Sequence, residues 1–378
     1  MTCGNRLFRL GRHKWLGAFE RTIAIAIVLL TAMRISAYAG SARPSACSSV
    51  DVATQNVYFG TDLTPIINSE NESDFLSAVG TAWSQVQATD IPARATRIAQ
   101  EIALASPPLV GLQEIAQWWE GQDPQDLSLQ YDFLQSILSA LNRWGLHYKL
   151  VSEVDELDLT VPGLDAEGNV FYVRFVDRNA LLVNTSPVAG CRMSLANVQG
   201  QLFTNQLIIP VPGLGTSIPS LRSWISVDAA VGGKSFRFIT TQLESFDAST
   251  QEAQAGELIS GPANTSLPVV MAGDFNSSAD GGPDTTPTYG DLIGAGFQDA
   301  WAQNRPLLRG DTCCQEADLQ NWRSELYERI DLILTNSKAI QASGIYLIGQ
   351  YPWNKTLTKP PLWPSDHAGI VASIRLGK

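Results

Sequence analysis

A chain of 378 residues with 44% hydrophobic content and a formal net charge of −11 can bury one large core, or two of ordinary size, and has the composition of a globular protein. A polyanionic nucleic acid held by phosphate neutralisation needs a basic surface, so the acidic balance argues against tight duplex-DNA binding. The five cysteines and three histidines contain no four-ligand zinc spacing.

The first segment stands apart. Arg6, Arg9, Arg12, Lys14 and Arg21 precede an apolar run from Ile23 to Leu30, and Ala37-Tyr38-Ala39 follows it. This order of basic region, short apolar run and small-residue site is that of an export signal over residues 1–39. The run is shorter than the roughly 20 residues that a membrane span needs, so cleavage after Ala39 is expected rather than an uncleaved membrane anchor. Cys47 follows Ser45-Ala46, but Arg43 and Pro44 stand where a lipid-attachment box wants apolar residues. Removal of the leader leaves 20 basic against 36 acidic residues, in a secreted or periplasmic protein with a short tail (40–50) and one domain (51–378). In an oxidising compartment Cys47, Cys191, Cys313 and Cys314 can form two disulfides. A bridge between neighbours would be strained, so Cys313 and Cys314 are expected to pair with Cys47 and Cys191, in either connectivity; free, partly buried thiols are the other reading.

Along that domain the pattern predicts a strand from Val52 to Phe59, then helical periodicity from about Asp74 to Val86. A second helix opens at Asp90 with Pro92 in its first turn and ends near Ser106, before Pro107-Pro108. Leu109-Val110-Gly111-Leu112 reads as a buried strand delivering Gln113-Glu114 to its end. Phe133, Leu134, Ile137, Leu138 and Leu141 form the apolar stripe of a helix that reaches Trp144 and stops at Gly145. The stretch Val154 to Gly168 carries Asp155, Glu156, Asp158, Asp165 and Glu167 without EF-hand spacing, and reads as a solvated surface loop.

Strand-like runs follow at Tyr148–Val151, Phe171–Val176, Ala180–Val183, Leu207–Val211, Trp224–Val227 and Phe236–Thr241. Later come Leu267–Ala272, a short helix around Tyr289–Ile293, Ile330–Leu334 and Gly369–Ile374. Early helices among strands, then a long run of strands, imply sheets covered on their outer faces by helices.

The candidate chemistry lies at the ends of those runs. Asn56 ends the first strand, Glu114 follows the second, and Gly273-Asp274-Phe275-Asn276 follows Leu267–Ala272. In Arg329-Ile330-Asp331-Leu332-Ile333-Leu334, alternation places Arg329 and Asp331 on the face opposite Ile330, Leu332 and Leu334. Trp363-Pro364-Ser365-Asp366-His367 holds the one histidine suited to chemistry, since His13 lies in the leader and His147 beside a helix end. Trp118 and Trp119 follow Glu114, and Trp353 and Trp363 precede the Asp-His pair, so indoles are expected around the site, able to stack on bases or sit at lipid headgroups.

In this order the motifs resemble the endonuclease/exonuclease/phosphatase family, from about Asn56 to Ile374. The resemblance implies a four-layer α-β-β-α sandwich of two mostly antiparallel sheets flanked by helices. It implies a phosphoesterase that uses Mg²⁺ or Mn²⁺, held by Glu114, Asn56 and Asp366. Asp274 would then position the attacking water, Asn276 would bond a phosphate oxygen, Asp331 would orient His367, and His367 would contact the scissile phosphate. Gln242, Arg329, Trp118 and Trp363 are the expected substrate contacts. One departure stands out: Thr240-Thr241-Gln242-Leu243-Glu244 carries Gln242 where some members have a histidine at the leaving group, and glutamine cannot shuttle a proton near neutral pH. With the acidic charge, a lipid-headgroup or small-molecule phosphodiester is favoured over DNA. A secreted nuclease and a binding protein that has lost catalysis are the alternatives, and contact with a membrane surface accompanies the lipid reading.

Overall fold

The computed structural model describes residues 48–186 and 192–377; the leader, Cys47 and Cys191 lie outside the described residues. Strand β1 (Ser49–Asn56) leads into helices α1 (Glu72–Ala88) and α2 (Ile91–Ala105). The Asp90 carboxylate accepts the Ala93 N–H at the start of α2, Pro92 occupies its first turn, and Ser106 closes it in the left-handed conformation. Strands β2 (Leu109–Gln113), β3 (Gln117–Asp123) and β4 (Asp126–Asp132) follow, then helix α3 (Phe133–Arg143), capped by Asp132.

The middle of the chain is nearly all strand: β5 (Tyr148–Leu164), β6 (Val170–Asn184), β7 (Met193–Leu202), β8 (Leu207–Val211), β9 (Thr216–Ser220), β10 (Ser223–Val231) and β11 (Lys234–Gln242). Helix α4 (Ala248–Ser260), β12 (Val269–Asp274), α5 (Pro287–Gly294), β13 (Gln298–Asp299), β14 (Asp331–Thr335), β15 (Ile340–Ile348) and β16 (Gly369–Leu376) complete it. Among the described residues no helix is long and apolar enough to cross a membrane.

Two large sheets result. One runs β15-β16-β1-β2-β6-β3-β4, with β5 also paired to β6, and the other runs β13-β14-β12-β11-β10-β7. Pairing is antiparallel except for β1 with β2 and β11 with β12. Period-two alternation sorts each strand between two layers. Val52, Leu109, Leu181, Val270, Ala272 and Ile333 meet in the core between the sheets. Their neighbours Ala53, Val110 and Leu182 face outward onto α2 and α3, while Val269, Met271 and Leu332 face α4 and α5. The fold is therefore the expected four-layer α-β-β-α sandwich.

The acidic stretch after Val154 differs from its expectation as a surface loop. As far as Leu164 it belongs to β5, a long strand paired along its whole length with β6, while Asp165 and Glu167 stand in the turn beyond it as expected. Its charges alternate with Leu157, Leu159 and Val161, so the sequence reads as a half-buried strand once β6 is beside it, and Glu156 is buried. The sequence pattern also misses β7, β15 and α4, whose apolar residues are diluted by glutamine, serine and alanine.

Glu101, on α2, is buried, and that burial pushes its pKa up to about 8, with Arg97 opposing. The unfolded carboxyl ionises near pH 4.3, so the folded state loses stability as pH rises from there to about 8, by up to about 3 kcal/mol at pH 7. Glu101→Gln is expected to raise the melting temperature at neutral pH and to flatten its decline between pH 5 and 8. Calorimetric scans across that range check this; a melting temperature at pH 7 no higher than that of the parent would show that the ionised carboxylate is tolerated.

Candidate functional site

The inner faces of the two sheets turn from apolar to polar at one end. Asn56 follows Val52 on the inner face of β1, Gln242 follows Phe238 on β11, Asp274 follows Val270 and Ala272 on β12, and Asp331 precedes Ile333 on β14. Strand register aligns them: Gln242 lies opposite Asp274, and Asp274 opposite Asp331. The parallel pairs β1/β2 and β11/β12 thus present their carboxyl ends together. One residue deeper, Gln113 Nε2 donates to Thr240 Oγ1 at 3.0 Å across the gap between the sheets.

By strict alternation Glu114 would point to the outer layer. Instead its backbone adopts φ 60°, a left-handed conformation uncommon for a residue other than glycine. The carboxylate swings to the polar end, where Asn56 Nδ2 donates to its Oε1 at 2.8 Å, Gln242 Nε2 to Oε1 at 3.0 Å, and the Phe59 N–H to Oε2 at 3.2 Å. Asn56 Nδ2 also reaches Asp274 Oδ2 at 3.1 Å, so one amide joins two carboxylates from different sheets. Gln242 Oε1 is buried without a partner. Asn276, at φ 48°, donates its N–H to Asp274 Oδ1 and its side-chain amide to Leu243 O.

His367 faces the same group. Its Nδ1 lies 2.8 Å from Asp331 Oδ2, which leaves Nε2 directed away. Burial opposes a charge on this ring, but Asp331, then Asp366 and Asp274, raise its pKa well above the ordinary histidine value. The segment carrying it is pinned by Ser365, which donates to Asn56 O and accepts the His367 N–H. It is pinned again by Arg94, a wholly buried side chain on α2 that donates to Val57, Tyr58 and Pro364 carbonyls. Two loops far apart in sequence are thereby held against one guanidinium.

Glu114 and Asp366 line one cavity. Burial, then the charge of Glu114, pushes Asp366 up to about 7 against the pull of His367, and burial followed by Glu114 raises Asp177 to about 7 as well. A crowd of buried carboxylates sharing excess charge, with hard oxygen donors turned to one cavity, fits a hard divalent cation. Asp274, Asp331 and His367 also bring one donor atom each within 4.8 Å of one another. The Nδ1 of His367 is already engaged by Asp331 there, so Glu114 and Asp366, which offer oxygen alone, suit Mg²⁺ better.

The structure thus brings together Asn56, Glu114, Gln242, Asp274, Asn276, Asp331, Asp366 and His367. It does not bring Arg329. That side chain turns to Asp299, with Nη1 2.7 Å from Oδ2, and also bonds Arg309 O, because Asp331 continues into β14 while Arg329 lies before it. Trp363 is wholly buried with Tyr58, Leu319 and Leu362; its indole N–H donates to Asn321 O. Trp119 packs beneath the Arg174 guanidinium and Trp353 stacks on Tyr351, so four indoles do not rim the site. Of these four, Trp118 lines the cavity, stacked on Phe175 with its N–H on Phe59 O; Trp83, from α1, lines it too.

The sulfurs of Cys313 and Cys314 lie against each other, and their expected partners Cys47 and Cys191 lie outside the described residues. The backbone of Cys313 is bridged to Glu328, and both sulfurs lie on the side of His367, with Cys314 Sγ 3.9 Å from Nε2. Sequence reasoning also missed Glu156, Asp177 and Arg222, buried charges that line the same cavity near Glu114. The signal was present in Asp177-Arg178-Asn179, a polar triplet inside an apolar strand run. There Asn179 Nδ2 donates to Glu156 Oε1 at 2.6 Å.

Residues 53–367 match the model of the Endonuclease/Exonuclease/phosphatase family. Among solved structures, the chain resembles a family protein from Bacteroides thetaiotaomicron at 17% identity, with 88% of this chain and 99% of that one covered and a TM-score of 0.53. A family protein from Leptotrichia buccalis C-1013-b aligns at 16% identity, covering 86% and 100%, with a TM-score of 0.51. A mannosyl-6-phosphatase from Bacteroides thetaiotaomicron VPI-5482 aligns at 16% identity, covering 86% and 99%, also with a TM-score of 0.51. No curated protein matches the chain.

Because Arg329 is half of a buried ion pair, Arg329→Ala is expected to cost about 3–5 kcal/mol of stability by stranding Asp299. At a temperature where the variant stays folded, its KM for any phosphoester should stay within about twofold of the parent, as for a side chain that meets no substrate. Denaturant melts and steady-state kinetics check both halves; a large KM change with unaltered stability would return Arg329 to the substrate.

Proposed function

The chain belongs to the endonuclease/exonuclease/phosphatase family, and from that premise we propose that it is an exported phosphoric ester hydrolase, dependent on Mg²⁺ or Mn²⁺, acting on a phosphodiester of a small molecule or lipid headgroup. The observation that carries this reading is the joining of Glu114 and Asp274 by the amides of Asn56 and Gln242 at the end of the inter-sheet face, with His367 backed by Asp331 beside them. The phosphatase named among the structural relatives agrees with a small phosphoester, and the acidic charge disfavours a nucleic acid.

Glu114 and Asp366 would hold the metal, which when bound supplies charge neutralisation at the phosphoryl oxygens. Asp274, raised to about 6 by burial and by Asp331, is placed to orient a water and accept its proton. The side-chain amide of Asn276 donates to Leu243 O and, at 3.4 Å, to Asp274 Oδ2, and a phosphate oxygen would take over the second, longer bond. Asp331 fixes the His367 tautomer and its charge, so that Nε2 meets the phosphate as a donor. The leader in residues 1–39 supports export; N-terminal sequencing of the mature protein is expected to begin near Gly40, and an intact Met1 would favour the membrane-anchored alternative.

Glu114→Ala is expected to lower kcat/KM by at least about 10²-fold and to abolish Mg²⁺ binding by calorimetry. Full activity of that variant in EDTA would remove the mechanism.

The partner-free Gln242 Oε1 makes the departure from histidine testable. Gln242→His should keep the fold and raise the rate on an alkyl phosphodiester more than on an activated aryl one, by up to about 10²-fold, the lower range for general-acid help. An equal change on both esters would mean that this side chain acts only by holding Glu114 and Asp274.

A further inference from the structure

The cavity that Glu114 and Asp366 line, about 390 Å³ in volume, is far larger than a phosphate needs and lies within the range of ligand sites, about 300–1,000 Å³. Its chemistry is divided. At one end stand the carboxylates of Glu114, Asp366, Asp177 and Glu156; beyond them the wall is hydrocarbon and aromatic, built by Phe75, Trp118, Leu159, Val161, Phe175 and Ile218. These side chains come from α1, β3, β5, β6 and the β8–β9 ribbon, which packs its Val211 and Ile218 with Phe75 and Val79. A second cavity of about 370 Å³ shares Leu157, Leu159, Ile218 and Leu221 with the first, so the apolar wall continues past it.

That wall decides among the bodies a phosphoester can carry. A further phosphate would meet a single cation among the lining residues, Arg222, already placed among Glu156, Glu244 and Asp177. A sugar would find hydrogen-bonding side chains such as Thr61, Ser220 and Gln315 in only part of the lining and would bury its other hydroxyls against hydrocarbon, which is costly. A hydrocarbon chain gains free energy from every methylene that leaves water.

We infer that this cavity holds the hydrocarbon chain of an amphiphilic phosphoester, with the phosphate at Glu114 and Asp366 and the chain along Trp118, Phe175, Leu159 and Ile218. This rests on the phosphoesterase reading and assigns its substrate class.

The test uses non-hydrolysable methyl-, hexyl- and decylphosphonate, with thymidine 5′-phosphate as the polar alternative, titrated calorimetrically into the protein with Mg²⁺ present. Affinity is expected to rise roughly three- to fourfold per methylene until the cavity is filled. Hexylphosphonate should then bind at least about 10²-fold more tightly than the methyl compound, and more tightly than the nucleotide. Ile218→Trp and Leu159→Trp, on separate strands and both partly exposed, should each reduce the decyl-to-methyl ratio by at least about tenfold. Circular dichroism and methylphosphonate binding identify a variant that has merely unfolded. Equal affinity for the three phosphonates, tighter binding of the nucleotide, or a chain-length ratio untouched in both folded variants would overturn the assignment. Hydrolysis of the corresponding alkyl aryl phosphodiesters is measured in parallel. Chain-dependent binding without hydrolysis would support the cavity while overturning the phosphoesterase reading; hydrolysis indifferent to chain length would do the reverse.

Discussion

The close approach of two sheets at Gly111 governs the site. A Cβ at this position would collide with the Thr240 hydroxyl on the facing strand, so only glycine allows β2 and β11 to come this near. The gap is then narrow enough for Gln113 to donate to Thr240 and accept from Thr54. These buried bonds mark the level at which the inter-sheet layer changes from packed hydrocarbon to paired polar groups. Beyond it Asn56, Gln242, Asp274 and Asp331 face one another with no room for bulk water between the strands that carry them. Their mutual distances are set by sheet spacing, not by the flexibility of loops.

Such a group is electrostatically overfilled. Glu156, Asp177, Asp274 and Asp366 crowd a buried volume beside Glu114 and Asp331, and burial first of all pushes these four carboxyls above the ordinary range, toward their neutral forms. The fold meets this partly with Arg222 and His367 and partly with the Asn56 and Gln242 amides, which donate without adding charge. A cation bound between Glu114 and Asp366 would relieve the rest, so the crowding of the acids and the proposed metal site have one physical origin. The apolar cavity sharpens both, because low-dielectric walls beside the carboxylates strengthen every charge interaction at its mouth.

Two features fix the geometry of the candidate site. Arg94 ties the loop after β1 to Pro364 through backbone carbonyls, fixing the segment that bears Asp366 and His367. Glu114 stands in the left-handed region, held there by three donors to its carboxylate. Strain of this kind costs of order 1–3 kcal/mol and persists where the surroundings over-determine it.

Period-two alternation and strand-end polar motifs made the layered fold legible, along with Asn56, Glu114, Asp274, Asn276, Asp331, Asp366 and His367, because each lies next to its own strand and needs only that strand to be named. The helix cap at Asp90 was equally local in origin. What needed a partner strand was not legible. The stretch from Val154 looked solvated until β6 covered its alternate residues, and Arg329 shared a face with Asp331 in sequence yet found Asp299 in space. Trp363 and Trp353 neighbour the Asp-His pair along the chain, but one fills the core and the other is exposed, since burial belongs to the packed layers. The chain by itself determined which groups stand at which strand ends, through local periodicity and turn chemistry. The tertiary structure alone decided which of those ends meet, which charges are stranded together and where a hydrocarbon-lined cavity opens, because each depends on segments that only the packing of two sheets brings within reach.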